Sequence, residues 1–225
     1  MDKKGIIKRG TERLVDLIFP PRCPLCDEPV KPGGTGICRG CREEWKPGVH
    51  FISGEGHFFT EGAFLCRYEE AASAIYRFKY GGRREYAETL GREMAREMKE
   101  LLEDWQPDGL VPVPLHPRRR RKRGYNQAQL LADALGKALG LPVYGDLVER
   151  CRDTVPQKEL NAQERQNNLK KAFKIRGNDV KLSTIVIVDD IYTTGGTVDE
   201  IAKTLLEAGV KKVYAVTLAS GQESR

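Results

Sequence analysis

The chain has 225 residues, enough for one domain with an appendage or two small domains, and enough to bury a core without help from disulfides. Hydrophobic residues at 40% and charged residues at 31% are ordinary globular values, which excludes a fibrous or wholly disordered protein, and no apolar run is long enough to span a bilayer. The net charge of +6 allows a nucleic-acid partner without demanding one, and six cations stand in a row: Arg118, Arg119, Arg120, Arg121, Lys122 and Arg123.

The start, MDKKGIIKRG, lacks the apolar core of a secretory signal, so a soluble, cytoplasmic protein is expected. Ile6, Ile7, Leu14, Val15, Leu17 and Ile18 suit one short amphipathic helix within 1–19, ended by Pro20 and Pro21. Residues 20–56 form a proline- and glycine-rich stretch that reads as loop and cannot build a large apolar core. From 57 to 225 the texture becomes that of a second domain. Ala63–Tyr68 reads as a strand, Ala71–Tyr80 and Arg84–Trp105 as helices, Leu110–Pro114 as a short buried strand, and Gln127–Leu139 as a helix closed by Gly140. Cys151–Lys171 is polar and reads as a long loop. Thr184–Val188 is the clearest strand, Val198–Ala208 the next helix and Val213–Leu218 another strand. Strands alternating with helices predict an α/β fold whose parallel sheet is covered on both faces.

The loop-rich stretch carries Cys23-Pro-Leu-Cys26 and Cys38-Arg-Gly-Cys41. Two such knuckles supply four thiolates able to close a tetrahedron around one Zn²⁺, and ligation then stabilises a segment short of apolar residues. Two disulfides are the alternative, but spacing and expected compartment favour metal. Four protein ligands leave no open position, so the zinc is expected to be structural. Cys66 falls in a predicted strand as a small core residue, and Cys151 reads as a loop cysteine beside Arg150 and Arg152. His50, His57 and His116 show no spacing that suggests a nucleophile triad.

The strongest signal is Ile185-Val186-Ile187-Val188 followed by Asp189-Asp190, Ile191-Tyr192 and then Thr193-Thr194-Gly195-Gly196-Thr197 before a helix. A strand buried on both faces, an acidic pair and a glycine-softened hydroxyl loop at a helix start together suit a sugar phosphate. Carboxylates accept from vicinal hydroxyls, while loop N–H groups face the phosphate. There is no GKS or GKT, and no GxGxxG follows a strand. The plainer reading is a Thr197–Glu200 capping box with surface aspartates, and it is compatible with ligand binding.

VIVDDIYTTGGT resembles the phosphoribosyl-pyrophosphate motif of type I phosphoribosyltransferases. With the cysteine knuckles, FKYGGR (Phe78–Arg83), VPVPLHPRRRRKRGYNQAQLLA (Val111–Ala132), TVPQKELNAQERQNNLKKAF (Thr154–Phe173) and the final TLAS, nearly the whole chain is similar to the ComF family of bacterial competence proteins. The resemblance implies a type I phosphoribosyltransferase-like parallel sheet flanked by helices, preceded by a small zinc-ribbon-like module. It implies binding of phosphoribosyl pyrophosphate with Mg²⁺ and a part in DNA uptake during natural transformation, beside a competence helicase as partner. The alternative is an active phosphoribosyltransferase of nucleotide metabolism, and the sequence leaves catalysis open, with no evident general base.

By the same likeness Asp189 and Asp190 hold the ribose hydroxyls, and Thr193, Thr194, Gly195, Gly196 and Thr197 cradle the 5′-phosphate. Pro112, Val113, Pro114 and Leu115 become the pyrophosphate loop. Gln157, Arg165 and Asn168 belong to a movable cover, Arg165 towards pyrophosphate. Arg118–Arg123 serve pyrophosphate, a single-stranded DNA backbone or merely a solvated loop, and Tyr125 stacks on a base or packs against the helix beginning at Gln127. Lys79 points to the site or caps a helix end.

Overall fold

The computed structural model describes residues 20–31, 36–151, 172–176 and 181–222. The expected N-terminal helix within 1–19, and Gln157, Arg165 and Asn168, lie outside the described residues. By contact density the chain divides into two compact units, Met1–Lys46 and Pro47–Arg225.

In the first unit, an antiparallel bridge joins Arg22 and Pro29, and the turn between them is tied by Asp27 N–H to the Cys23 carbonyl at 2.8 Å and Cys23 N–H to the Glu28 carbonyl at 2.9 Å. The segment read as loop also holds a short helix, α1 (Arg39–Glu44), with Cys38 as its N-cap. Buried hydrophobic residues among those described here are few, namely Cys23, Ile37 and Trp45.

The second unit is built on a five-stranded sheet of order β1-β2-β7-β6-β3. Its strands are β1 (His50–Ser53), β2 (Glu61–Arg67), β3 (Gly109–Pro112), β6 (Thr184–Tyr192) and β7 (Lys212–Ser220). The β2–β7, β7–β6 and β6–β3 pairs are parallel, as the alternation of strands and helices predicts. β1, within the stretch read as loop, adds an antiparallel edge, so the sheet is mixed and not wholly parallel. Its apolar signal is slight, because only Ile52 of its four residues is buried. A second unforeseen feature is a two-stranded antiparallel sheet of β4 (Val148–Arg150) and β5 (Phe173–Ile175), strands of three residues that leave no legible alternation.

Helices cover both faces. These are α2 (Tyr68–Tyr80), α3 (Tyr86–Trp105), α4 (Pro117–Arg123), α5 (Gln127–Leu139) and α6 (Gly196–Glu207). Helix α5 packs on β3 and β6, and α3 packs on α5. Ile185, Ile187, Val213 and Ala215 join Ile201 and Leu205 of α6 in one apolar cluster. Side chains alternate along a strand, so Val186 and Val188 point to the other face, and all of these strand residues are buried. Each buried aliphatic side chain stabilises the fold by about 1.5–3 kcal/mol, and β6 carries such residues on both sides.

The α3–α5 contact depends on Gly91, where a Cβ would sit 2.5 Å from the Ala134 Cβ and 3.2 Å from the Leu135 nitrogen. Gly91→Ala is therefore expected to destabilise the second unit by about 1–3 kcal/mol, as overpacking does. A denaturation midpoint equal to that of the wild type would show that the helices separate without cost.

Candidate functional site

The four cysteines of the first unit come together as the spacing predicts. Their sulfurs all lie within 4.8 Å of one another, with Cys26 Sγ and Cys38 Sγ 3.6 Å apart. A tetrahedral site with Zn–S bonds of about 2.3 Å requires S···S edges of about 3.8 Å, so the cluster fits that ion. Burial, and then its thiol neighbours, push the Cys41 thiol well above its ordinary value. Four adjacent thiolates therefore require a cation among them. Of the other cysteines, Cys66 is fully buried and donates to the Leu218 carbonyl at 3.4 Å, a core role as expected. Burial pushes the Cys151 thiol up, which is the opposite of an activated nucleophile.

In the second unit, β6 runs on past the expected end at Val188, so Asp189 and Asp190 belong to the strand and not to a surface turn. Two residues further on the chain turns through Thr193 and Thr194 into α6. The N-cap of α6 is Gly195, at φ 75°, and no side chain caps the helix. The Thr197–Glu200 capping box is thus not formed, because Thr197 already lies inside the first turn. Gly195 is required twice over: its φ is left-handed, and a Cβ there would meet the Tyr192 hydroxyl at 2.4 Å. The uncapped helix start and the exposed Thr193 and Thr194 offer donors to an anion.

A cavity of about 350 Å³ opens beside this turn, and Asp189, Asp190, Thr193, Gly195 and Thr197 all line it. Lys79, on the last turn of α2, also lines the cavity and pairs with Asp190 at 2.8 Å, both side chains being largely buried. Of the two roles read for Lys79, the structure selects the site. Burial alone would lower its pKa, but the Asp190 carboxylate more than reverses that and leaves it raised. Asp189 accepts from the Asp190 N–H at 2.8 Å. Burial, and then the Asp190 charge, push Asp189 up to about 7 against the pull of Lys79.

The six-cation run is a helix and not a loop. Pro117 opens α4, the His116 Nδ1 accepts from the Arg118 N–H at 3.3 Å, and Gly124 closes it at φ 86°. Pro at a first position, Gly after the last and cations in the final turn all favour it. Helical spacing divides the run. Arg119 and Arg123 line the acid-pair cavity, whereas Arg120 and Arg121 line a neighbouring groove of about 1160 Å³. Of the expected pyrophosphate loop, Val113 and Leu115 reach the cavity. Pro112 and Pro114 have no N–H, and the Val113 N–H donates to the Val188 carbonyl at 2.9 Å. Within those four residues, only Leu115 has an N–H outside that ladder.

Tyr125 is no stacking platform. It is 9% exposed, its hydroxyl donates to the Phe78 carbonyl and its ring packs at 6.0 Å from that of Phe78. Its position just ahead of the amphipathic α5 decides this, since the residue turns inward with the helix's apolar face. Two cavity residues carried no clear sequence signal. Arg150 sits on β4, nine-tenths buried with its guanidinium over the Phe173 ring, and lines both the cavity and the groove. Tyr80 borders the cavity beside Lys79, where the FKYGG signature could have raised it.

The phosphoribosyl transferase domain family matches residues 88–225, and the double zinc ribbon domain family matches residues 14–51. Competence protein F of Haemophilus influenzae is 30% identical, over 88% of this chain and 96% of that protein. DNA utilization protein YhgH of Salmonella typhimurium is 39% identical over the same shares, and competence protein ComFC of Bacillus subtilis is 27% identical over 83% of this chain and 72% of that protein. The type I phosphoribosyltransferase fold and the zinc ribbon ahead of it are thereby established, and the cysteine cluster is a structural zinc site. No helix among the described residues is long and apolar enough to cross a membrane. Identity of 30% along 96% of the Haemophilus protein, together with the phosphoribosyl transferase and double zinc ribbon matches, makes this chain a member of the ComF family.

Proposed function

We propose that this protein binds phosphoribosyl pyrophosphate with Mg²⁺ in the cytoplasm and acts in DNA uptake, contacting single-stranded DNA and working beside a competence helicase. The observation that carries the ligand reading is the acid pair of β6 opening, with Thr193, Gly195 and Thr197 of the following turn, onto one cavity bordered by Lys79, Arg119 and Arg123. Asp189 and Asp190 take the ribose hydroxyls. Thr193, Thr194, Gly195, Gly196 and Thr197 take the 5′-phosphate at an uncapped helix start. Arg119 and Arg123, with Leu115 of the Pro112–Leu115 segment, face the pyrophosphate. Mg²⁺ arrives with the ligand and neutralises its charge. The names of the Haemophilus and Salmonella relatives support the biological role. Deleting the gene from a naturally competent host is expected to lower transformation, and an Asp190→Asn copy to leave it low. Unchanged transformation in the deletion strain would remove the DNA-uptake role.

A second reading, transfer of ribose 5-phosphate to a nitrogenous acceptor, is favoured by Asp189. A carboxyl pushed up to about 7 can take the proton an acceptor N–H gives up as the C1–N bond forms and pyrophosphate leaves. A nucleobase panel assayed for pyrophosphate release decides it, with turnover supporting transfer and its absence supporting binding alone.

The same carboxyl sets a pH dependence. Asp189 keeps its proton in the fold above the value near 3.9 at which an unfolded Asp loses it, so its contribution to stability falls as pH rises from about 4 to about 7. Ligand affinity is expected to move the other way, rising from about pH 6 to about pH 8 as Asp189 becomes an acceptor. Asp189→Asn should flatten that rise. An equal rise in the variant would assign it to the ligand's own phosphates.

A further inference from the structure

Helix α2 buries Ala71, Ala74, Ile75 and Phe78 and so presents its opposite side to solvent. That side carries Tyr76 and Tyr80, 65% and 62% exposed, with ring centroids 5.3 Å apart and planes tilted by 50°. Two large rings one helical turn apart stabilise a helix only slightly, and left in water they add nothing to the core. Tyr80 stands beside the cationic helix α4. The Arg123 guanidinium lies 5.3 Å from the Tyr80 ring centroid, and Arg120 and Arg121 stand exposed on the same short helix, which contains no acidic residue.

We infer that Tyr76 and Tyr80 form a stacking ledge for the bases of single-stranded DNA whose phosphates run along α4. This rests on the DNA contact proposed above and supplies the aromatic half of it, which Tyr125 cannot. The cations complement a phosphodiester backbone. The rings suit unpaired bases, whose faces are free, and not a duplex, whose bases are stacked inside. An acidic protein surface would engage the same arginines but would have no use for two exposed rings. Arg123, held over Tyr80, joins the two halves by bringing a cation and a π-face to one spot.

The test is fluorescence anisotropy of the full-length zinc-loaded protein with a labelled oligothymidylate and with an abasic strand of equal length, over a range of salt. The wild type is expected to prefer the base-bearing strand. Tyr76→Ala with Tyr80→Ala should weaken its binding about tenfold or more, abolish the preference and keep the salt slope, while Tyr80→Trp restores the preference. Arg120→Gln with Arg121→Gln should flatten the salt slope and keep the preference. All four side chains are exposed or border open grooves, and equal melting temperatures confirm intact folding. A wild type that binds both strands equally, with tyrosine variants unchanged, overturns the ledge and leaves the DNA contact standing. A wild type that binds neither strand overturns the DNA contact itself.

Discussion

Chelating the zinc is expected to unfold the cysteine module while the sheet of the second unit still melts as a cooperative whole. Residues 20–46 have only Cys23, Ile37 and Trp45 as buried hydrophobic residues among those described. At about 1.5–3 kcal/mol each, these cannot offset a backbone ordering cost of about 1–2 kcal/mol per residue. Zinc ligation in small modules supplies about 10–16 kcal/mol, more than the three buried side chains together, so its removal takes away the largest stabilising contribution. The five strands of the main sheet, by contrast, all come from Pro47–Arg225. Limited proteolysis should therefore open the segment between Cys23 and Cys41 once the metal is removed, and elemental analysis should find one zinc per chain. Cys38→Ser should lose the ion, since that sulfur sits 3.6 Å from Cys26 Sγ and also accepts from the Cys41 N–H at 3.5 Å. A metal-free chain with unchanged protection would show that contacts other than ligation hold the module.

Asp190→Asn is expected to cost about ten- to a hundredfold in affinity for phosphoribosyl pyrophosphate. A charge-assisted hydrogen bond contributes about 1.5–3 kcal/mol, and each 1.4 kcal/mol is about a factor of ten. The substitution also strands Lys79, whose ammonium is largely buried and pairs with Asp190 at 2.8 Å. Removing one partner of such a pair costs about 3–5 kcal/mol of stability, whereas replacing both by neutral groups is often close to neutral. The double variant Lys79→Met with Asp190→Asn separates the two effects. It should recover most of the lost melting temperature while ligand binding, measured by calorimetry, stays weak. Recovery of affinity along with stability would mean that Asp190 acts only as a structural counter-ion.

How much of this was legible depended on how local the signal is. Helix α5 matched its expected bounds, Gln127–Leu139, because its apolar period and closing Gly140 both lie within the segment. The zinc cluster was legible because two short knuckles fix four sulfurs by spacing alone. The turn after β6 was legible as a combination of residue types, but its N-cap was not, since Gly195 and not Thr197 takes that position. Long-range relations were the hidden part. The FKYGG likeness raised Lys79 as a site residue, but nothing in the sequence names Asp190 as its partner. Arg150 was equally silent, because a three-residue strand has no period to read. The Arg run has no apolar period to mark a helix, yet Pro117 at its start, Gly124 at its end and cations in its last turn make it one.

The most direct measurement is calorimetric titration of the zinc-loaded wild-type protein with phosphoribosyl pyrophosphate in Mg²⁺. One molecule bound per chain, with the signal sharply reduced in the Asp190→Asn variant, is the result expected. Absence of any saturable heat, or saturation that the variant reproduces, would contradict the assignment of the β6 acid pair and its glycine turn as the ligand site.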